Sequence, residues 1–162
     1  MAPLSIALFV LTLAAALGSA TIGGLYFAFS TFVMRALGER PPVEGMAAMV
    51  SINRVILRSL FIPVFMGTGV LSLILALYGG FVRTEASGWL LSGALAYLAG
   101  NIWLTMAYNV PLNNAIDRAD PAADNEALWK HYLVRWTQWN HVRTIACLAA
   151  AGFFIMAMVV DG

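Results

Sequence analysis

The chain has 162 residues, of which 61% are hydrophobic and only 10% are charged. Ordinary globular domains are roughly 45 to 50% apolar and about 25% charged, so this composition excludes a soluble domain. The formal net charge of +1 excludes binding of nucleic acid through a basic surface, and the single cysteine, Cys147, has no partner for a disulfide within the chain. The composition is that of an integral membrane protein.

Four long stretches without Lys, Arg, Asp or Glu indicate four transmembrane helices. A span needs about 20 mostly apolar residues, with a range of roughly 17 to 25, and each stretch is long enough. We place the spans at about 4–34, 59–82, 87–110 and 143–160, in one membrane domain that covers residues 1–162. The predicted fold is therefore all-α, an integral membrane four-helix bundle.

In the first span, small side chains recur every four residues, at Ala16, Ala20, Gly24 and Ala28. Such a stripe lets another helix approach closely, so we interpret it as a packing surface without chemistry. The stripe is also compatible with a homo-oligomer, whose size the sequence does not determine.

Between the first and second spans, GERPPVEG from Gly38 to Gly45 is the strongest helix-breaking stretch of the chain. An extra amphipathic helix is predicted after it, in which Asn53 interrupts an otherwise apolar face. Two interpretations of Asn53 stay open: an amide that hydrogen-bonds a neighbouring helix, or a contact to a ligand.

The third span carries a ridge of polar side chains, each four residues from the next: Tyr97, Asn101, Thr105, Asn109 and Asn113. Polar groups that face lipid are costly, so the ridge is predicted to face the interior of the bundle. Pro111 cannot donate a backbone hydrogen bond, so we expect a kink there that frees a carbonyl group. Amides and freed backbone together predict a polar pocket, with hydrogen bonding between helices as the alternative.

A second extra helix, from Glu126 to Arg143, is predicted to lead directly into the fourth span. At about 100° per residue, one arc of this helix collects aromatic and polar side chains. The arc contains Trp129, Tyr132, Leu133, Trp136, Trp139, Asn140, Arg143 and Cys147. An aromatic stripe of this kind is typical of an interfacial belt or of core packing. An inward Arg143, however, needs an acceptor such as a carbonyl, Asp117 or a substrate oxygen.

Basic residues are distributed unevenly over the connections between spans. Four fall in the first connection and four in the third, against Arg83 alone in the second. The positive-inside rule then places both termini outside, with the protein in the cell (inner) membrane. The two long connections, with their extra helices, are predicted to lie in the cytoplasm.

Familiar catalytic and metal-binding motifs are absent from the sequence, including CxxC, HExxH, GxSxG and a glycine-rich phosphate loop. His131 and His141 are ten residues apart and lie outside the aromatic arc, so no metal site is expected from them. For His141 alone two interpretations stay open: a proton acceptor, or a histidine at the surface.

Four stretches stand in a distinctive order along the chain. They are GLYFAFSTFVM from Gly24 to Met34, PPVEGMAAMVSIN ending at Asn53, NVPLNN from Asn109 to Asn114, and WTQWNHVRT from Trp136 to Thr144. Together they resemble the anthrone-oxygenase-like family of small four-helix membrane proteins, and the resemblance covers nearly the whole chain. The sequence is most similar to the bacterial branch, most of whose members have no established function.

The resemblance implies the reaction of the fungal members, which oxidise anthrones to anthraquinones with O2 and without an added flavin or metal. We therefore predict a membrane oxygenase or redox protein that acts on a hydrophobic, anthrone- or quinone-like aromatic with O2 and needs no cofactor. The competing prediction is a binding or accessory membrane protein that keeps the scaffold without catalysis.

An up-down connection of the spans brings the predicted site residues toward the cytoplasmic ends of their helices. Substrate binding is predicted for Asn53, Asn101, Asn109, Asn113, Trp136, Trp139 and Asn140. Among the catalytic candidates, Arg143 would donate to an enolate oxygen, and His141 or Tyr108 would act as the base.

Overall fold

The computed structural model describes residues 3–120 and 122–161, with side chains for residues 6–120 and 122–160. Every regular element within these residues is helical, which confirms the predicted all-α class. Four helices are long and apolar enough to cross a membrane: Ile6–Gly38, Phe61–Val82, Ser87–Asp117 and Glu126–Val160.

The first and third spans each combine α-helical and π-helical stretches. The first consists of α1 (Pro3–Ala28), a π-helical segment (Phe29–Val33) and α2 (Met34–Gly38). After it come α3 (Pro42–Ile56) and α4 (Phe61–Val82). The third span consists of α5 (Ser87–Tyr97), two π-helical segments (Leu98–Trp103 and Thr105–Asn109) and α6 (Val110–Asp117), and α7 (Glu126–Asp161) is the last helix.

The two extra helical segments occur where the sequence predicts them. α2 ends at Gly38 and α3 begins at Pro42, where a proline is tolerated because the first helical residue has no hydrogen-bond partner for its N–H group. α7 runs for 36 residues without a break, so the predicted helix from Glu126 does continue into the fourth span.

The spanning helices form a ring in which each helix packs on two neighbours. α1 packs on α4 and α7, and α5 packs on the same two helices from the opposite side. This is the simple up-down-up-down arrangement of a four-helix bundle. The connections that hold α3 and the start of α7 therefore lie together, at what we call the α3 end of the bundle.

Two separate apolar cores support this arrangement. One fills the bundle between the spans and includes Leu75, Leu90 and Phe154, all at most 1% exposed. The other lies at the α3 end, where α3 packs on α2, α6 and α7, and its members are Met34, Met46, Met49, Ile116, Trp129, Tyr132 and Trp136. Several of the polar side chains described below lie between these two cores.

The small-residue stripe of the first span is only partly a packing surface within the chain. Ala16 is 3% exposed, but Ala20 and Gly24 face outward, and a Cβ atom added at Gly24 would meet nothing within 4 Å. The close helix contacts occur instead at Gly18, against Thr68, because the buried face of α1 is rotated away from the stripe.

Candidate functional site

The polar ridge of the third span faces inward, as its spacing predicts. Tyr97 and Asn101 are fully buried, and Asn109 is 1% exposed. Before Pro111, the helix adopts π-helical hydrogen bonding over Leu98–Trp103 and Thr105–Asn109. Such segments are rare and frequently lie at functional sites, because the wider turn rotates the side chains that follow it.

The predicted arc of α7 also faces the interior. Trp129, Tyr132 and Trp136 are between 1% and 5% exposed, while Asn140 and Arg143 are 0% and 3% exposed. Because α7 is one continuous helix, the aromatic side chains lie in the core of the α3 end and the two polar ones lie toward the spans.

Arg143 is a buried cation held by neutral groups. Its Nη1 donates to Thr105 Oγ1 at 3.0 Å and its Nη2 donates to Asn140 Oδ1 at 2.7 Å. The guanidinium carbon also lies 4.2 Å from the ring centre of Tyr26 and 5.2 Å from that of Trp136. All four ion pairs among the described side chains involve other arginines or Lys130, so no carboxylate in this part of the chain compensates the charge.

Asn140 joins the fourth span to the first. Its Nδ2 donates to the backbone oxygen of Tyr26 and to Ser30 Oγ, both at 2.7 Å. Its oxygen is at the same time the acceptor for Arg143. One side chain therefore fixes the distance between α1 and α7 and the direction of the guanidinium.

The other asparagines of the candidate site also link helices or border open space. Asn109 Nδ2 donates to the backbone oxygen of Trp136 at 3.2 Å, and Asn113 Oδ1 accepts from the hydroxyl of Tyr132 at 2.9 Å. Asn53 lies on α3, half-buried, and its Nδ2 has no hydrogen-bond partner.

A cavity of about 360 Å³ lies between α1, α3, α4, the third span and α7, and we call it the central cavity. Its aromatic walls are Tyr26, Phe29, Phe61, Phe65 and Trp136, and its polar wall includes Asn53, Thr105, Asn113 and Arg143. A volume of this size falls in the range of about 300 to 1,000 Å³ that is typical of small-molecule sites.

Four residues that line the central cavity carry buried donors without a partner. The unpaired groups are Arg143 Nε, Trp136 Nε1, Asn53 Nδ2 and the hydroxyl of Tyr26. A buried donor without a partner costs about 1 to 3 kcal/mol, so a cavity that holds several of them is suited to a ligand that supplies acceptor oxygens.

The structure does not bring every predicted site residue to this cavity. Tyr108 and Trp139 stack on each other with ring centres 3.8 Å apart, away from the cavity lining. His141 is exposed and lines a different groove, beside Arg35 and Gln138. Asn101 lies deeper in the bundle, with both of its amide atoms unpaired.

Tyr26 is the residue of the site that sequence reasoning missed most clearly. Thr12, Ser19 and Tyr26 are seven residues apart, and all three are buried at 4% exposure or less. Because seven residues make close to two helical turns, this spacing places polar groups on one face of an otherwise apolar span. This polar spacing is visible in the sequence, and it predicts the inward face of the first span better than the small-residue stripe does.

Within residues 6–120 and 122–160, no group of three or more His, Cys, Asp and Glu side chains is placed to hold a metal ion.

The four spanning helices and the polar central cavity define the class: a helical membrane protein with an internal pocket of small-molecule size. A family model described as anthrone oxygenase matches residues 53–153, more than half of the chain. The protein belongs to this family. No curated protein and no solved structure matches the chain.

The matched region extends from the last turn of α3 through most of α7. It contains Asn53, Asn109, Asn140 and Arg143, whereas Tyr26 precedes it. The unmatched first span nevertheless completes the candidate site, because Tyr26 contacts both Asn140 and Arg143.

Proposed function

We propose that this membrane protein binds a flat, hydrophobic aromatic ketone of the anthrone or quinone type in its central cavity and oxidises it with O2. The observation that carries the proposal is the buried Arg143, which has only neutral partners in a cavity with aromatic walls. A buried charge without a counterion is expensive, so a ligand oxygen that carries negative charge would stabilise the occupied site. The family match supports the same class of substrate.

The proposed chemistry needs an enolate. An anthrone has an acidic methylene group opposite its ketone, and loss of one proton from the methylene leaves negative charge on the ketone oxygen. The enolate gives electrons to O2, and a new C–O bond forms at the former methylene. The resulting peroxide anion takes up one proton from solvent. Loss of water from this hydroperoxide leaves a second ketone, so one oxygen atom of O2 enters the product and the other leaves in water.

In this proposal the protein contributes mainly to orientation and to stabilisation of charge. Arg143 donates to the enolate oxygen, which favours the ionised ligand over the neutral ketone. The rings of Phe61, Phe65 and Trp136 hold the flat ligand in place, and Asn53 offers a further donor to it. The methylene proton leaves to solvent through the polar rim of the cavity, which contains Asp117 and Asn114.

A binding or accessory protein is the second candidate. It is favoured by the placement of His141 and Tyr108, the two groups that the sequence suggests as bases, because neither lines the central cavity. The only carboxylate in the described lining, Asp117, is already paired with Arg54 at 2.8 Å. A protein of this kind would bind the same aromatic ligand and would not accelerate its oxidation.

The proposed location is the bacterial inner membrane, with both termini outside and the α3 end in the cytoplasm, because the basic residues gather in the two connections at that end. The family resemblance supports a reaction without a flavin or metal. Elemental analysis and an absorption spectrum of protein purified without chelator would test this, and a stoichiometric metal would contradict it.

The two candidates are separated by measuring O2 uptake and anthraquinone formation with a simple anthrone and the protein in lipid. The controls are buffer with empty lipid, since anthrones also autoxidise, and an Arg143→Ala variant. A catalyst gives a rate above both controls. Tight binding of anthraquinone with a rate no greater than the lipid control would favour the binding protein and contradict the oxygenase.

A further inference from the structure

We infer that the central cavity is filled from the lipid bilayer, through a portal between α4 and the π-helical segment Thr105–Asn109. The inference extends the proposed function, because it says where an aromatic ligand enters. The portal is bordered by Leu57, Met66 and Met106, which line the cavity and are also 66%, 54% and 61% exposed.

The position of the portal follows from helix lengths. α4 has 22 residues, and at about 1.5 Å per residue it is roughly 33 Å long, close to the thickness of about 30 Å of a hydrocarbon core. Nearly all of α4 is therefore needed to cross the bilayer. Met66 follows the first residue of α4 by about 7.5 Å, so it lies inside the hydrocarbon layer near one edge.

α4 and the third span are in tight contact just above the proposed portal. A Cβ atom added at Gly69 would lie 2.6 Å from Ile102 Cδ1, so α4 and the third span are in tight contact there. Met66 and Met106 are one turn further toward the α3 end. α4 packs closely on the third span as far as Leu98–Trp103, and few residues of the next π-helical segment approach it. We place the gap between the two helices at this point.

The rim of the central cavity that faces the α3 end is charged, whereas the portal is apolar. Arg54 on α3 and Asp117 on α6 both line the cavity, and Arg54 Nη2 lies 2.8 Å from Asp117 Oδ1. This ion pair ties the two helices together across the polar rim. The lipid-facing rim has no such link, and methionine side chains are flexible enough to move aside for an aromatic ring. The easier route for an apolar ligand is therefore through the methionines.

The test uses a cysteine inside the cavity as a reporter, so it requires neither turnover nor a natural ligand. Phe65 lines the cavity and is 5% exposed, and the native Cys147 is fully buried, so the wild-type protein provides the background. Phe65→Cys protein in lipid nanodiscs is treated with N-phenylmaleimide, a flat apolar reagent. A parallel sample is treated with a methanethiosulfonate reagent that carries a trimethylammonium charge and stays in water.

Bulky substitutions at the portal provide the decisive comparison. Met106→Trp or Met66→Trp should slow labelling of Phe65→Cys by N-phenylmaleimide about tenfold, which corresponds to a barrier about 1.4 kcal/mol higher. Leu95→Trp is the matched control, because Leu95 is 68% exposed on the same span and does not line the cavity. It should leave the labelling rate unchanged.

The charged reagent should react slowly with Phe65→Cys and faster once the polar rim is opened by Arg54→Ala. Each labelling rate is divided by the rate of the same reagent with free cysteine. If this relative rate is higher for the charged reagent than for N-phenylmaleimide in Phe65→Cys without a portal substitution, the inference is overturned. Equal rates of N-phenylmaleimide labelling with and without Met106→Trp would also overturn it. Phe61→Cys, also in the lining, repeats the measurement if Phe65→Cys does not fold. Absence of labelling in both folded variants would equally contradict an open portal, whereas failure of the anthrone assay would concern only the proposed function.

Discussion

The guanidinium of Arg143 lies 4.2 Å from the ring centre of Tyr26, and this contact joins the last span to the first. Both side chains are buried, at 3% and 4% exposure. The ring stabilises the cation without neutralising it, because an aromatic face offers only a quadrupole. The site therefore keeps a full positive charge available to a ligand.

Replacement of this cation should weaken ligand binding. We expect Arg143→Gln to reduce the rate with anthrone by about a hundredfold, as for the loss of one donor to a developing oxyanion, and to weaken the binding of neutral anthraquinone by a smaller factor. Arg143→Lys should recover part of the loss, because it restores the charge without the planar geometry. Quenching of tryptophan fluorescence by anthraquinone measures the affinity, and Arg135→Gln is the control because Arg135 is exposed on the same helix.

Arg143→Gln should also change the pH dependence of the reaction. A nearby cation lowers the pKa of a bound ligand that ionises to an anion, so the wild-type protein should reach its half-maximal rate at a lower pH than Arg143→Gln. Initial rates of anthraquinone formation over a pH series, corrected for autoxidation, measure the difference. Profiles that differ in height but share one midpoint would contradict a role of Arg143 in ionising the ligand.

Asn140 provides a test that separates folding from function. Asn140→Asp should keep the acceptor for Arg143 and add a negative charge beside it, but it removes the donor to Tyr26 and Ser30. The counterion for Arg143 offsets part of this loss, so we expect a thermal unfolding temperature in detergent between those of the wild type and Asn140→Ala, together with weaker binding of an anionic ligand. Asn140→Ala should lower the unfolding temperature further, because the partners on α1 and Arg143 each lose a buried hydrogen bond. Unchanged binding of an anionic ligand by Asn140→Asp would contradict the proposal that the positive charge of Arg143 holds the ligand.

Two glycines in the spans should respond oppositely to alanine. A Cβ atom at Gly93 would lie 2.7 Å from the ring of Phe154, which is fully buried, so Gly93→Ala should destabilise the bundle by about 1 to 3 kcal/mol. Gly24→Ala meets no atom within 4 Å and gains up to about 1 kcal/mol of helix propensity. Unfolding in detergent measures the change in stability of both variants. A loss of stability in Gly24→Ala would show that the face of α1 that carries Gly24 is covered by another copy of the chain.

The topology can be tested with single cysteines in two connections. Glu85→Cys lies between the second and third spans, and Asp124→Cys lies between the third and fourth. We expect a membrane-impermeant maleimide to label Glu85→Cys in intact spheroplasts and Asp124→Cys only after lysis. The native Cys147 is buried and serves as the background. Labelling of both variants before lysis would contradict four spans with alternating direction.

The sequence by itself determined the membrane class, the four spans and the two extra helices. These follow from local composition, because a span is a length of apolar chain and a helix break is a short run of Gly and Pro. The inward faces of α7 and of the third span were also predictable. The direction of a side chain is fixed by its position along a helix, and a polar group that faces lipid is costly.

The tertiary structure decided which of these inward groups share a cavity. Arg143, Asn53 and Asn113 meet in the central cavity, but Tyr108 and His141 do not, although His141 is only two residues from Arg143 in the sequence. Two residues along a helix correspond to a rotation of about 200°, which directs the two side chains to opposite sides. The π-helical segments also change the angular period before Pro111, and a constant helical period does not predict this change.

The role of the first span was likewise decided by packing. Its sequence offers two stripes, one of small residues and one of Thr12, Ser19 and Tyr26, and either could face the bundle. The structure buries the second, because Tyr26 there contacts Arg143 and its backbone oxygen accepts from Asn140. Such contacts join residues more than 110 positions apart, and only the packing of α1 on α7 brings them together.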